Sequence, residues 1–211
     1  MRHETVPTRA VCPACHDASL GDSIRGGGTV VGIGVEDVWA GRTTGSADAG
    51  DAGPVLTEAT LDDVADIAAL AAVRREAYEA AQPQFWRRAS DAVEKHVPWL
   101  RTQVADPDVV ALVVRSAESL DGFVFASVVD APPVYDPGGP SGVVDDFAVA
   151  DASLWPTVGR DLLAEVKQRL VTRGVAQVVV VCGHHDEAKR TALLAAGLTV
   201  ASEWLVGPLT Q

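Results

Sequence analysis

Two adjacent carboxylates, Asp145 and Asp146, sit inside a β-branched, apolar run from Gly142 to Val149. A carboxylate held beside a reacting group can take up its proton. Strand alternation puts Asp145 on one face with Val143, Phe147 and Val149, and Asp146 on the other with Val144 and Ala148. At most one of them therefore faces a given site. His184 and His185 directly follow the apolar run Val175–Cys182, and an imidazole titrates near neutrality. Cys12-Pro13-Ala14-Cys15-His16 has the spacing of a haem attachment site and, with His3, of half a zinc site. Haem attachment requires export, yet Met1-Arg2-His3-Glu4 leads into no apolar stretch. Structural zinc wants a second ligand pair, so the pattern is read as incidental and no metal is expected.

Composition narrows the function further. The 211 residues carry 17 basic against 29 acidic side chains, a net charge of −12, which argues against binding a phosphate backbone. No run approaches the roughly 18 apolar residues of a membrane span. Neither a nucleic-acid nor a membrane partner is expected, and a cytoplasmic location is. Three cysteines, Cys12, Cys15 and Cys182, then point to free thiols rather than a disulfide framework.

The elements that must position these groups follow from periodicity. Residues 1–54 hold one short apolar run, Thr29–Val35, broken by glycines, and end in a linker of small and acidic residues, 41–54. That run could form a short strand but cannot build a core alone, so residues 1–54 are expected to be a largely disordered extension, with the folded domain spanning residues 55–211. Within it, Val55–Ala59 reads as a strand and Leu61 to Ala80 as a helix that Thr60 caps. A second helix spans Ser90 to Val104 and contains Pro98. Strands are expected at Val109–Arg115, Phe123–Val129 and Gly142–Val149. Pro156–Arg173 is an amphipathic helix with Val158, Leu162, Leu163, Val166 and Leu170 on its apolar face, closed by Gly174. The strand Val175–Cys182, a helix capped by Asp186 and the strand Leu198–Val206 complete the order β-α-α-β-β-β-α-β-α-β, an α/β fold with a mixed central sheet flanked by helices. No Gly-x-Gly-x-x-Gly follows the first strand, which disfavours a Rossmann nucleotide binder.

This order, with Val144-Asp145-Asp146-Phe147-Ala148-Val149 leading through a bend to Val158-Gly159-Arg160-Asp161-Leu162-Leu163, resembles the GNAT superfamily of N-acetyltransferases over residues 55–211. Gln177–Cys182, Asp186–Ala196 and Gly197-Leu198 match the family's later strand, helix and Gly-Phe. The resemblance implies acetyl-CoA as acyl donor. Its pantetheine arm would lie along Phe147, Ala148 and Val149, and its pyrophosphate at Thr157, Val158, Gly159 and Arg160, where a helix start offers N–H groups and a positive dipole. Gly159 aligns with the last glycine of the family's phosphate loop, while Thr157 and Leu154 stand at its first glycine and its basic residue.

The resemblance also implies a carboxylate base, Asp145 or Asp146, of which Asp145 has the parity of the family's usual base and is the expected one. The family's tyrosine acid falls on Leu193, leaving His184 or His185 as a substitute. Tyr78, Trp86 and Tyr135 are the candidates for the acceptor wall. The expected acceptor is a small-molecule or peptide amine, with a homodimer as the oligomer to test for. The alternative is a non-catalytic GNAT-like module that binds a ligand or partner.

Overall fold

The computed structural model describes residues 29–34, 54–117, 119–131 and 134–209. Among them a seven-stranded sheet is built from β1 (Thr29–Gly34), β2 (Val55–Glu58), β3 (Val110–Ser116), β4 (Ser119–Val129), β5 (Ser141–Val149), β6 (Gln177–Cys182) and β7 (Thr199–Glu203). Their spatial order is β2-β3-β4-β5-β6-β1-β7. Every neighbouring pair is antiparallel except β5 and β6. The helices are α1 (Val64–Ala81), α2 (Ala92–Ala105), α3 (Arg160–Thr172) and α4 (Glu187–Ala195). None is long and apolar enough to cross a membrane.

Strand alternation splits the apolar residues between two layers. Ile67 and Ala71 of α1 and Leu100 of α2 pack with Val113, Phe123, Phe125 and Ala148 on one face. Leu162, Leu163, Val166 and Leu170 of α3 and Leu193 of α4 pack with Leu112, Val124, Val144 and Val180 on the other. The α3 stripe is the one its periodicity predicts. Gly174, at a φ of 71°, ends that helix, and Val175 N–H returns to the Leu170 carbonyl.

The N-terminal strand takes a larger part in the sheet than the sequence reading gave it. Thr29–Gly34, expected in a disordered extension, pairs antiparallel with β6 along its whole length and with β7 on its other edge. A continuous apolar strand such as β6 needs partners on both edges for its backbone groups, and β1 supplies the second. Residue 55 therefore does not mark the start of the sheet. Cys12, Cys15, His16, His3 and most of the linker lie outside the described residues.

Entry into α1 is fixed by a short 3-10 turn, Leu61–Asp63. The Asp63 carboxylate accepts from Thr60 N–H at 2.7 Å and Thr60 Oγ1 at 2.8 Å, and from Arg115 Nε on β3 at 2.9 Å. Burial alone would raise its pKa, but the Thr60 and Arg115 hydrogen bonds outweigh that and hold it below the usual aspartate range. Asp63→Ala is expected to cost about 1–2 kcal/mol at pH 7. A depressed carboxylate stabilises the fold fully above its unfolded pKa of about 4, and this is lost as pH falls through the lower folded value. Urea unfolding of both proteins at pH 7 and below pH 3 checks this: the gap between them should narrow in acid.

Candidate functional site

The hydrogen-bond ladder between β5 and β6 runs only from Ser141/Gln177 to Val144/Val180. Beyond it β5 continues to Val149 and β6 to Cys182, so the two parallel strands part. The parting leaves the β6-facing edge of Phe147–Val149 outside the ladder. On its other edge β5 stays paired with β4, where Phe147, Ala148 and Val149 oppose Val124, Phe123 and Gly122.

A bulge in that pairing overturns the alternation argument for the carboxylates. Phe125 opposes Asp146 but Ala126 opposes Val144, leaving Asp145 as the extra residue. One inserted residue reverses parity, so Val144 shares a core with Phe147 while Ala148 faces the opposite layer. Asp145 accepts a hydrogen bond from Asp146 N–H at 2.9 Å. It is the Asp146 carboxylate that turns toward α1 and α2, 3.5 Å from His96 Nε2 and 3.8 Å from an Arg75 guanidinium nitrogen. Arg75 also contacts the His96 ring, which stacks on Trp99. Sequence reasoning missed His96; its signal was a histidine one turn before Leu100 on the buried side of α2.

The expected phosphate loop is helical instead. The chain turns from Ala152–Leu154 through a π-turn, Trp155–Gly159, directly into α3. Asp151 caps the beginning of this run, accepting from Ser153 N–H at 2.8 Å and Ser153 Oγ at 2.6 Å. Gly159 lies inside it with helical φ of −61°. A Cβ there would come 2.4 Å from the Trp155 ring, so the missing side chain makes room for an indole. Val158 is buried, Thr157 is exposed with its hydroxyl on the Leu154 carbonyl, and Arg160 pairs with Asp161 at 2.9 Å. Thr157–Gly159 thus form a first helical turn rather than a glycine-rich loop.

A cavity of about 320 Å³ opens where β6, β1 and β7 end together, within the usual range for small ligands. Its walls include Tyr78 and Trp86 near the end of α1, His184, His185 and Asp186 after β6, and Glu203 and Trp204 at the end of β7. Because β1 lies between β6 and β7, those two walls stand two strand spacings, about 10 Å, apart. Trp86 meets Tyr78 and Phe85 edge-on at 5.1 and 4.7 Å, and Phe85 reaches Trp204 at 6.4 Å. The Tyr78 hydroxyl donates to Asp186 at 2.9 Å and accepts from Arg74 at 3.0 Å and Gly183 N–H at 3.3 Å. Arg74 also pairs with Asp186. Burial pushes the Tyr78 phenol well above its ordinary pKa, so it stays protonated near neutrality.

Of the expected residues, Tyr78, Trp86 and His184 are brought to this cavity. His184 is mostly solvated there, 3.8 Å from Glu203. Tyr135 is not: it is 72% exposed on the β4–β5 connection, at the opposite end of the sheet. A long, proline-rich tip carries it away from the strand ends. Sequence reasoning missed Arg74, Glu203 and Trp204, which only the meeting of α1 and β7 unites. Among the described residues no group of three or more His, Cys, Asp or Glu side chains could hold a metal ion.

No protein-family model and no curated protein matches this sequence. Solved structures do match. A predicted acetyltransferase with acetyl-CoA from Clostridium acetobutylicum superposes with a TM-score of 0.58 at 13% identity, over 74% of this chain and 96% of that one. A GCN5-related N-acetyltransferase from Ralstonia eutropha gives 0.56 at 18%, over 74% and 99%. An aminoglycoside 6'-N-acetyltransferase from Acinetobacter baumannii gives 0.57 at 11%, over 75% and 99%. The chain has the fold of the GCN5-related N-acetyltransferases.

Proposed function

We propose that the chain is an acyl-CoA-dependent N-acyltransferase that moves an acetyl group to a primary amine. The observation that carries this reading is the parting of β5 from β6 beside an aromatic cavity, in a fold shared with N-acetyltransferases. An amine entering between Trp86 and Trp204 would meet ring faces suited to a cation and to an apolar body. In direct transfer the amine nitrogen forms the C–N bond as the C–S bond breaks, and the amine loses a proton to a base. Asp146, next to His96, is the base we assign; the bulge supports it over Asp145.

Support from relatives is limited to their own activities: one is an aminoglycoside N-acetyltransferase, and another was solved with acetyl-CoA. The test is a thermal-shift titration with acetyl-CoA, then an acetylation assay over a panel of aromatic and polycationic amines. Binding is expected, and Asp146→Asn should lower turnover by about 100-fold or more while Asp145→Asn changes it little. Absence of binding at millimolar acetyl-CoA would overturn the reading in favour of a non-catalytic ligand-binding module. Lys189 and Trp155, which fill the gap between the strands, are what favour that second reading.

A further inference from the structure

Lys189 is 2% exposed, a charged side chain sealed inside the fold. It lies on α4 one turn before the buried Leu193, at a position where helical periodicity asks for an apolar residue. Its Nζ donates to the Phe147 carbonyl at 3.1 Å and stands 5.2 Å from the Phe147 ring and 5.6 Å from the Trp155 ring. Trp155 is 1% exposed and packs edge-on against Phe147 at 4.8 Å. Phe147 belongs to the stretch of β5 that β6 has left, so the space between the parted strands is filled from α4 and the π-turn.

A strand freed on one edge offers backbone groups to any extended amide chain that can lie beside it. Here the carbonyl at the middle of that edge already has a donor, the ammonium of this chain's own lysine. The filled arrangement is also energetically poor. Burial disfavours the charged amine and lowers its pKa, and the Trp155 indole N–H, equally buried, has no hydrogen-bond partner among the described residues. A ligand that accepted from the indole would satisfy it, and one that donated to the Phe147 carbonyl would take the place of the ammonium and drive it from the slot.

Building on the acyltransferase reading, we propose that Lys189, with Trp155, is a built-in stopper in the acyl-CoA slot, competing with the donor's amide arm for the Phe147 carbonyl. The donor must displace the ammonium to bind, so Lys189 sets the donor affinity. It acts by occupying the slot, not by touching the reacting atoms.

Acetyl-CoA is titrated calorimetrically into the full chain, Lys189→Ala and Lys189→Met, with circular dichroism confirming each fold. We expect the dissociation constant to fall at least about 10-fold in Lys189→Ala, the scale of one hydrogen bond to a charged group. It should fall less in Lys189→Met, which removes the donor but keeps the stem. Trp155 emission, read as the difference from Trp155→Phe, should shift on binding. If Lys189→Ala does not fold, Lys189→Met carries the test. Equal affinity in wild type and variants would overturn the stopper and leave the acyltransferase reading intact. Wild type and folded variants that all bind no acetyl-CoA would overturn both.

Discussion

Val31→Pro is expected to lower the melting temperature by roughly 6–12 °C, the equivalent of about 3 kcal/mol for a chain of this size. Val31 opposes Val180 of β6 on one edge and Val200 of β7 on the other. Whichever neighbour its N–H serves, proline removes that bond, and an interior strand has no solvent to replace it. The loss propagates, because β7 is an edge strand whose partner in the sheet is β1. The spacing of the cavity walls should fail with it, so any ligand that protects wild type from heat should protect the variant less. Starting the chain at residue 55 removes the strand outright and is expected to be more damaging still. A Val31→Pro protein that melts within a degree of wild type would show that β1 is dispensable to the sheet.

Gly159→Ala should be nearly as costly, about 2–4 kcal/mol, although alanine is the better helix former by about 1 kcal/mol. The backbone there is helical, so the propensity gain is real. It is overwhelmed because the new methyl would sit 2.4 Å from one indole carbon and 3.1 Å from the next, and a fused ring cannot bend aside. The partner change Trp155→Leu, costly alone, should make Gly159→Ala far milder, a coupling of at least 1 kcal/mol in a double-mutant cycle of urea melts. A fully stable Gly159→Ala that loses acetyl-CoA affinity would instead restore the phosphate-loop reading of this glycine.

How far the sequence could be read depended on whether a signal was local. The α3 stripe, the Asp186 cap and the Gly174 and Gly197 terminators each act within a few residues, and each stands where its chemistry demands. β1 was hidden because Gly32 and Gly34 dilute its apolar pattern and its partners lie in the last third of the chain. The bulge at Asp145 was invisible to alternation, which presumes one residue per partner. At Gly159 the absent side chain makes room for an aromatic ring four residues back, Trp155, a packing demand that no motif spells out. Lys189 left a trace, a cation on the apolar face of α4, but its carbonyl partner on β5 is 42 positions distant.

The pairing of β1 also sets a clock on biosynthesis. Each of its residues meets a partner on β6 about 150 positions later in the chain. At 5–20 residues per second, roughly 10–30 s separate the emergence of β1 from the ribosome and that of the strand it must join. Through that interval it has two bare edges, the circumstance in which an uninterrupted β-branched segment invites aggregation. Gly32 and Gly34 weaken its tendency to pair with the wrong chain, so the residues that dilute the apolar pattern of β1 also protect it while it waits.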